Sequence, residues 1–116
     1  MQTLTMTGSG RVDAMANLLT QKLEAGSAGC ELVSRVSREY GPVQTVLLVF
    51  QKYYWRNNGQ ASLTLLFTGS GSGGTVTVDL IGSGGGVGLL GLSLGAESDF
   101  VEDVEELLSE QGFHIV

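Results

Sequence analysis

VQTVLLVFQKYYWRNNGQASLTLLFT, residues 43–68, decides the fold. Two runs rich in Val, Leu, Thr and aromatics flank Asn57-Asn58-Gly59, and an Asn-Gly pair between β-rich runs is the strongest short-range hairpin signal. In the first run, residues 43–55, one face reads Val43, Thr45, Leu47, Val49, Gln51, Tyr53, Trp55, and the other Gln44, Val46, Leu48, Phe50, Lys52, Tyr54. Both faces are apolar at the centre. The run 60–68 repeats this, with Leu63, Leu65 and Phe67 opposed by Thr64 and Leu66.

On the N-terminal side, residues 30–40 (CELVSRVSREY) alternate as a strand. Cys30, Leu32, Val36 and Tyr40 are expected on one face, with Glu31, Arg35 and Glu39 on the other, before Gly41-Pro42 punctuates. Before them, Val12, Met15, Leu18, Leu19 and Leu23 recur at helical spacing with Gly26 as a stop, predicting a helix over 11–25. Leu4 and Met6 lie on one side of a short first strand, 2–7. On the C-terminal side, GSGSGG (69–74) joins the hairpin to TVTVDLI (75–81), another alternating strand. Ser98 fits an N-cap for a second helix whose stripe is Phe100, Val101, Val104, Leu107 and Leu108; Gly112 ends it, and FHIV is read as a short docked extension. The expected fold is a single α+β domain over residues 1–116, a curved antiparallel sheet of order β-α-β-β-β-β-α with both helices packed on one face.

That architecture sets the functional question. An antiparallel sheet with helices on one side usually shows polar residues on its free face. Here the free face is apolar at its centre and needs a cover, which is an interaction signal. Val43, Leu47, Val49, Tyr53 and Trp55 are the candidate interface residues on the strand. Leu89, Leu90 and Leu92 join them from VGLLGLSL (87–94), a segment too apolar for a free loop. A second copy of the chain, most simply in a homodimer, is the expected partner. The alternative is a small apolar ligand held between sheet and helix or beneath the glycine-rich cover.

Charge narrows the partners further. The net charge is −6, and seven of the twelve acids fall within 97–110 (Glu97, Asp99, Glu102, Asp103, Glu105, Glu106, Glu110) with no base among them. The rest of the chain is near neutral, which disfavours nucleic acid and acidic membrane surfaces. The longest apolar run, VLLVF at 46–50, is far short of a membrane span. With no basic start or signal-like apolar stretch, a cytoplasmic location is the expectation.

The glycines invite a phosphate-loop reading, which their context rejects. GVGLLG (86–91) matches the G-x-G-x-x-G spacing, but so does GSGSGG (69–74), and eleven of the eighteen glycines lie between 69 and 95. The spacing carries meaning only where it follows a strand and opens a helix in a βαβ unit, and neither copy does. Glu97 and Asp99 would also occupy the helix terminus that a phosphate needs.

No catalytic constellation assembles. His114, the one histidine, is the third residue from the C-terminus, and Cys30, the one cysteine, lacks an activating neighbourhood and reads as a buried structural thiol. Asp79 ends the polar side of its strand and is expected to pair with a base or face water. Lys52 and Arg56 bracket Tyr53, Tyr54 and Trp55 at the hairpin tip, a composition that could stack on bases or sugars but that cross-strand aromatic packing explains as well. The expectation is a non-enzymatic interaction module with no cofactor and no metal.

The segments KYYWRNNGQASLTLLFTG and DLIGSGGGVGLLGLSLGAE resemble a small bacterial family of uncharacterised proteins that carry a domain of unknown function. The resemblance covers the central and C-terminal two-thirds of the chain. It implies a bacterial, cytoplasmic source and supplies no activity, cofactor or functional residue.

Overall fold

The computed structural model describes residues 2–26, 30–54, 59–85 and 96–116. Its elements are β1 (Gln2–Gly10), α1 (Val12–Gly26), β2 (Cys30–Tyr40), β3 (Val43–Tyr54), β4 (Gly59–Ser70), β5 (Gly74–Gly85), α2 (Ala96–Glu110) and β6 (His114–Ile115). They form one open sheet in the order β2-β3-β4-β5-β1-β6, antiparallel at every pairing. The α+β architecture expected from the alternation is therefore the observed one, with a two-residue sixth strand added.

The meander β2 to β5 follows from short hairpins. Tyr40 pairs with Val43 across Gly41-Pro42, and Tyr54 with Gly59 at the Asn-Gly tip. α1 carries the chain from β1 back over the sheet, so that β1 pairs with β5 rather than with β2.

Both helices lie on one face. α1 packs over β2, β3 and β4, and α2 over β4, β5 and β1. The buried residues Val12, Met15, Ala16, Leu19 and Leu23 of α1 meet the even-numbered face of β3 (Val46, Leu48, Phe50) and its neighbours Leu63, Leu65 and Phe67. α2 adds Phe100, Val101, Val104 and Leu108. Each such fully buried aliphatic or aromatic side chain contributes about 1.5–3 kcal/mol relative to exposure. This fixes which strand parity faces inward.

The first strand expected over 2–7 extends to Gly10, and three further features differ from the sequence expectation. α2 starts at Ala96, so Ser98 lies inside its first turn rather than capping it. The first half of the glycine-rich stretch is strand: β5 runs through Gly85, with Gly82 opposite Leu63 and Gly84 opposite Ala61. The third concerns β2, where register shifts between Leu32 and Ser34. Val33 is the extra residue of a bulge, so side-chain parity flips along the strand. Cys30 and Leu32 sit opposite Lys52 and Phe50 on the helix side, whereas Val36 and Tyr40 sit opposite Leu47 and Val43 on the free side. The strictly alternating face expected for β2 is thus split in two.

The C-terminus of α2 is closed by Gly112, at φ +89°. Gly112 N donates to Ser109 O (3.0 Å) and Phe113 N to Leu108 O (3.0 Å), the paired bonds of a Schellman turn. The turn drives Phe113 into the core and delivers His114 and Ile115 to the edge of β1.

Candidate functional site

Strand register builds the helix-free face row by row. One row crosses five strands as Val36, Leu47, Leu66, Asp79 and Thr5. On one side of it runs Ser34, Val49, Thr64, Ile81 and Thr3. On the other runs Arg38, Thr45, Thr68, Thr77, Thr7 and His114, with four threonines side by side. The rows converge on an aliphatic centre, Leu47 beside Leu66 with Val36, Val49 and Ile81 around them. Threonine and serine hydroxyls surround that centre. The face is more polar than β3 alone suggests, because β1 and β5 contribute threonines.

Of the eight residues singled out from the sequence, Val43, Leu47, Val49 and Tyr53 lie on this face, by register with Tyr40, Leu66, Thr64 and Gln60. Val43 and Ile81 are well exposed, at 42% and 36%, while Leu47, Val49 and Leu66 are half-buried by their neighbours. Trp55, Leu89, Leu90 and Leu92 lie outside the described residues. Of the cluster at the hairpin tip, Arg56 likewise lies outside the described residues, and Lys52 and Tyr53 are on opposite faces. Tyr53 is on the free side, while Lys52 is on the helix side, 3.4 Å from Asp103 of α2 and 5.8 Å from the centroid of Phe100.

Asp79 is the polar landmark of the face. It sits in mid-sheet on β5 and accepts a hydrogen bond from Thr5 Oγ1 at 2.8 Å. Among the described residues no base reaches its carboxylate. Thr3, Thr5, Leu47, Thr64, Leu66, Asp79 and Ile81 line a shallow depression of about 400 Å³ around it. Sequence alone places Asp79 on the polar side of β5. Its position next to Leu66 and two strands from Leu47 needed the β3–β4 and β4–β5 registers.

Catalytic features are sparse in the described structure. Cys30 is buried at the start of β2, and burial pushes its thiol pKa up, an effect the nearby Lys52 opposes. His114 is exposed on the edge strand β6. Among the described residues no three His, Cys, Asp or Glu side chains come together as a metal site. No helix among them is long and apolar enough to cross a membrane.

Fold and face together define a two-layer α+β domain with an open antiparallel sheet, one side helix-covered and the other bare among the described residues. Residues 1–112 match the model of a family described as a family of unknown function (DUF6054), and the chain belongs to that family. Neither the curated proteins nor the solved structures contain a match.

Proposed function

We propose that the chain is a non-enzymatic interaction module that forms a homodimer through the helix-free face of its sheet. The observation that carries this reading is the aliphatic centre of that face, Leu47 beside Leu66 with Val36, Val49 and Ile81, rimmed by threonines and serines. An apolar centre with a polar rim is the anatomy of a protein interface. In scale, too, the face suits a small homodimer. The single cysteine, buried and free, fits a reducing, cytoplasmic setting.

The test is the mass in solution. Leu47→Asp combined with Val49→Asp places two carboxylates in the aliphatic centre and is expected to give monomers by native mass spectrometry. A doubly substituted protein with the parent's assembly mass and thermal stability would remove the face from consideration.

The second reading is a binder of a small apolar ligand, and the depression around Leu66 and Ile81 favours it. It sits on the free face rather than between sheet and helix. This reading expects a monomer carrying extra mass after purification from its host. A bare monomer would leave the cover to residues 86–95 of the same chain and would sink both.

A further inference from the structure

We infer that the second copy docks about a two-fold axis running along the seam between β3 and β4, with Arg38 of each copy paired to Asp79 of the other. The inference rests on the self-association proposed above and specifies its geometry.

Asp79 makes the geometry locatable. Covering the face takes its carboxylate out of water, which is strongly unfavourable unless a cation comes with the partner. The Thr5 hydroxyl satisfies one acceptor site and supplies no charge. On the free side of the described strands, Arg38 is the arginine or lysine present. Arg35 lies opposite Leu48 and Lys52 opposite Ala61, both on the helix side. His114 lies beyond β1, at the far edge of the sheet.

Within one copy the two groups cannot meet. Arg38 on β2 and Asp79 on β5 are three strand spacings apart, roughly 14 Å. A two-fold interface removes that obstacle, because it brings residue i to j and j to i. β2 and β5 stand equally far from the β3–β4 seam, about 7 Å on either side. Rotation about an axis along the seam therefore lays β2 of one copy over β5 of the other and conserves height along the strands. Asp79 shares its row with Val36, and Arg38 is two residues on, about 7 Å along β2. That offset is within reach of an arginine side chain between sheets packed about 10 Å apart.

The same axis stacks Leu47 of each copy over Leu66 of the other, so the aliphatic centre and the charge pairs are satisfied by one operation. The overlapping footprint is four strands of eleven or twelve residues. At about 4.8 Å between strands and 3.3 Å per residue this is roughly 750 Å² per copy. Standard stable interfaces bury about 800 Å² per partner.

Charge reversal tests the axis. Arg38→Asp and Asp79→Arg each place like charges at both contacts, and each is expected to weaken the dimer by about 100-fold or more in analytical ultracentrifugation. Mixed one to one, the two variants present opposite charges at both contacts and are expected to dimerise again. If either reversal alters the circular dichroism spectrum, Arg38→Gln and Asp79→Asn replace them, each expected to weaken the dimer about ten-fold. A dimer indifferent to these changes, or variants that stay apart when mixed, would overturn the pairing and leave self-association standing. A parent chain that is monomeric at about 100 µM would overturn self-association itself.

Discussion

Gly8 of β1 lies directly under the ring of Phe113: a methyl group in place of its hydrogen would come within 2.5 Å of ring carbon Cδ1. The contact joins the first strand to the last turn of the described chain. Phe113 is seated there by the Schellman turn at Gly112, and it is buried to 3% exposure.

Gly8→Ala should therefore destabilise the fold although alanine suits a strand better than glycine. Overpacking of this kind costs about 1–3 kcal/mol. Urea unfolding of the single variant and of Gly8→Ala with Phe113→Leu measures it, and the smaller side chain is expected to recover part of the loss.

Gly112→Ala tests the turn that seats Phe113. At φ +89° a Cβ is strained whatever the space around it, and about 1–2 kcal/mol is the expected loss by thermal unfolding. No neighbour lies within 4 Å of that Cβ, so the effect is one of backbone conformation and not of packing.

Leu47 and Leu48 are adjacent in sequence and opposite in consequence. Leu48 is fully buried beneath the helices, and Leu48→Ala is expected to lose about 2–5 kcal/mol of folding stability. Leu47 faces away from them, opposite Leu66. Leu47→Ala should leave the melting temperature near the parent's at concentrations where both are monomeric, while shifting the monomer–dimer equilibrium towards monomer. Equal losses of stability from the two would mean that the free face is packed within one chain.

Cys30 offers a pH-dependent readout. Burial raises its pKa above the 9.0 of a free thiol; Lys52 opposes this, while Glu24, Asp103 and Glu31 add to it. The folded state thus holds the thiol proton more tightly than the unfolded state. Its stabilising contribution is intact below pH 9 and declines as pH rises past the unfolded thiol's pKa towards the folded one. Iodoacetamide at pH 8 is expected to label Cys30 slowly in the folded protein and rapidly in urea, followed by mass spectrometry.

Much of this was legible from alternation. VQTVLLVFQ repeats apolar residues on both parities, and the two faces of β3 are where that repeat puts them. Val43, Leu47, Val49 and Tyr53 were found as a group for the same reason. What alternation could not carry was any event that breaks it. The extra Val33 in β2 leaves each neighbour looking regular while exchanging the faces of everything beyond it. β6 is two residues long and has no period to read; it exists because Gly112 turns the chain towards β1, a partner more than a hundred residues away in sequence. Asp79 could be assigned a face from TVTVD. Its place beside the aliphatic centre came from cross-strand register, which is non-local. The acidic face of α2 was plain in the sequence, but the start of the helix at Ala96 was not, because Ser98 is an equally good capping residue by type.

The insertion of β1 between β5 and β6 has a consequence for biosynthesis. β1 leaves the ribosome well before β5, yet its register runs from Gln2 opposite Gly82 to Gly10 opposite Gly74. Its positions have no sheet partner until between 64 and 80 residues have followed them, whereas β2, β3 and β4 can zip together hairpin by hairpin as they emerge. During translation at about 5–20 residues per second, Leu4 and Met6 wait for seconds beside a growing meander whose β5 edge is not yet made. The nascent chain therefore passes through an interval in which a complete hairpin sheet coexists with an unplaced N-terminal strand. In that interval the sheet ends on an unpaired strand edge, the kind of edge to which a strand of another chain can add before β1 takes its place.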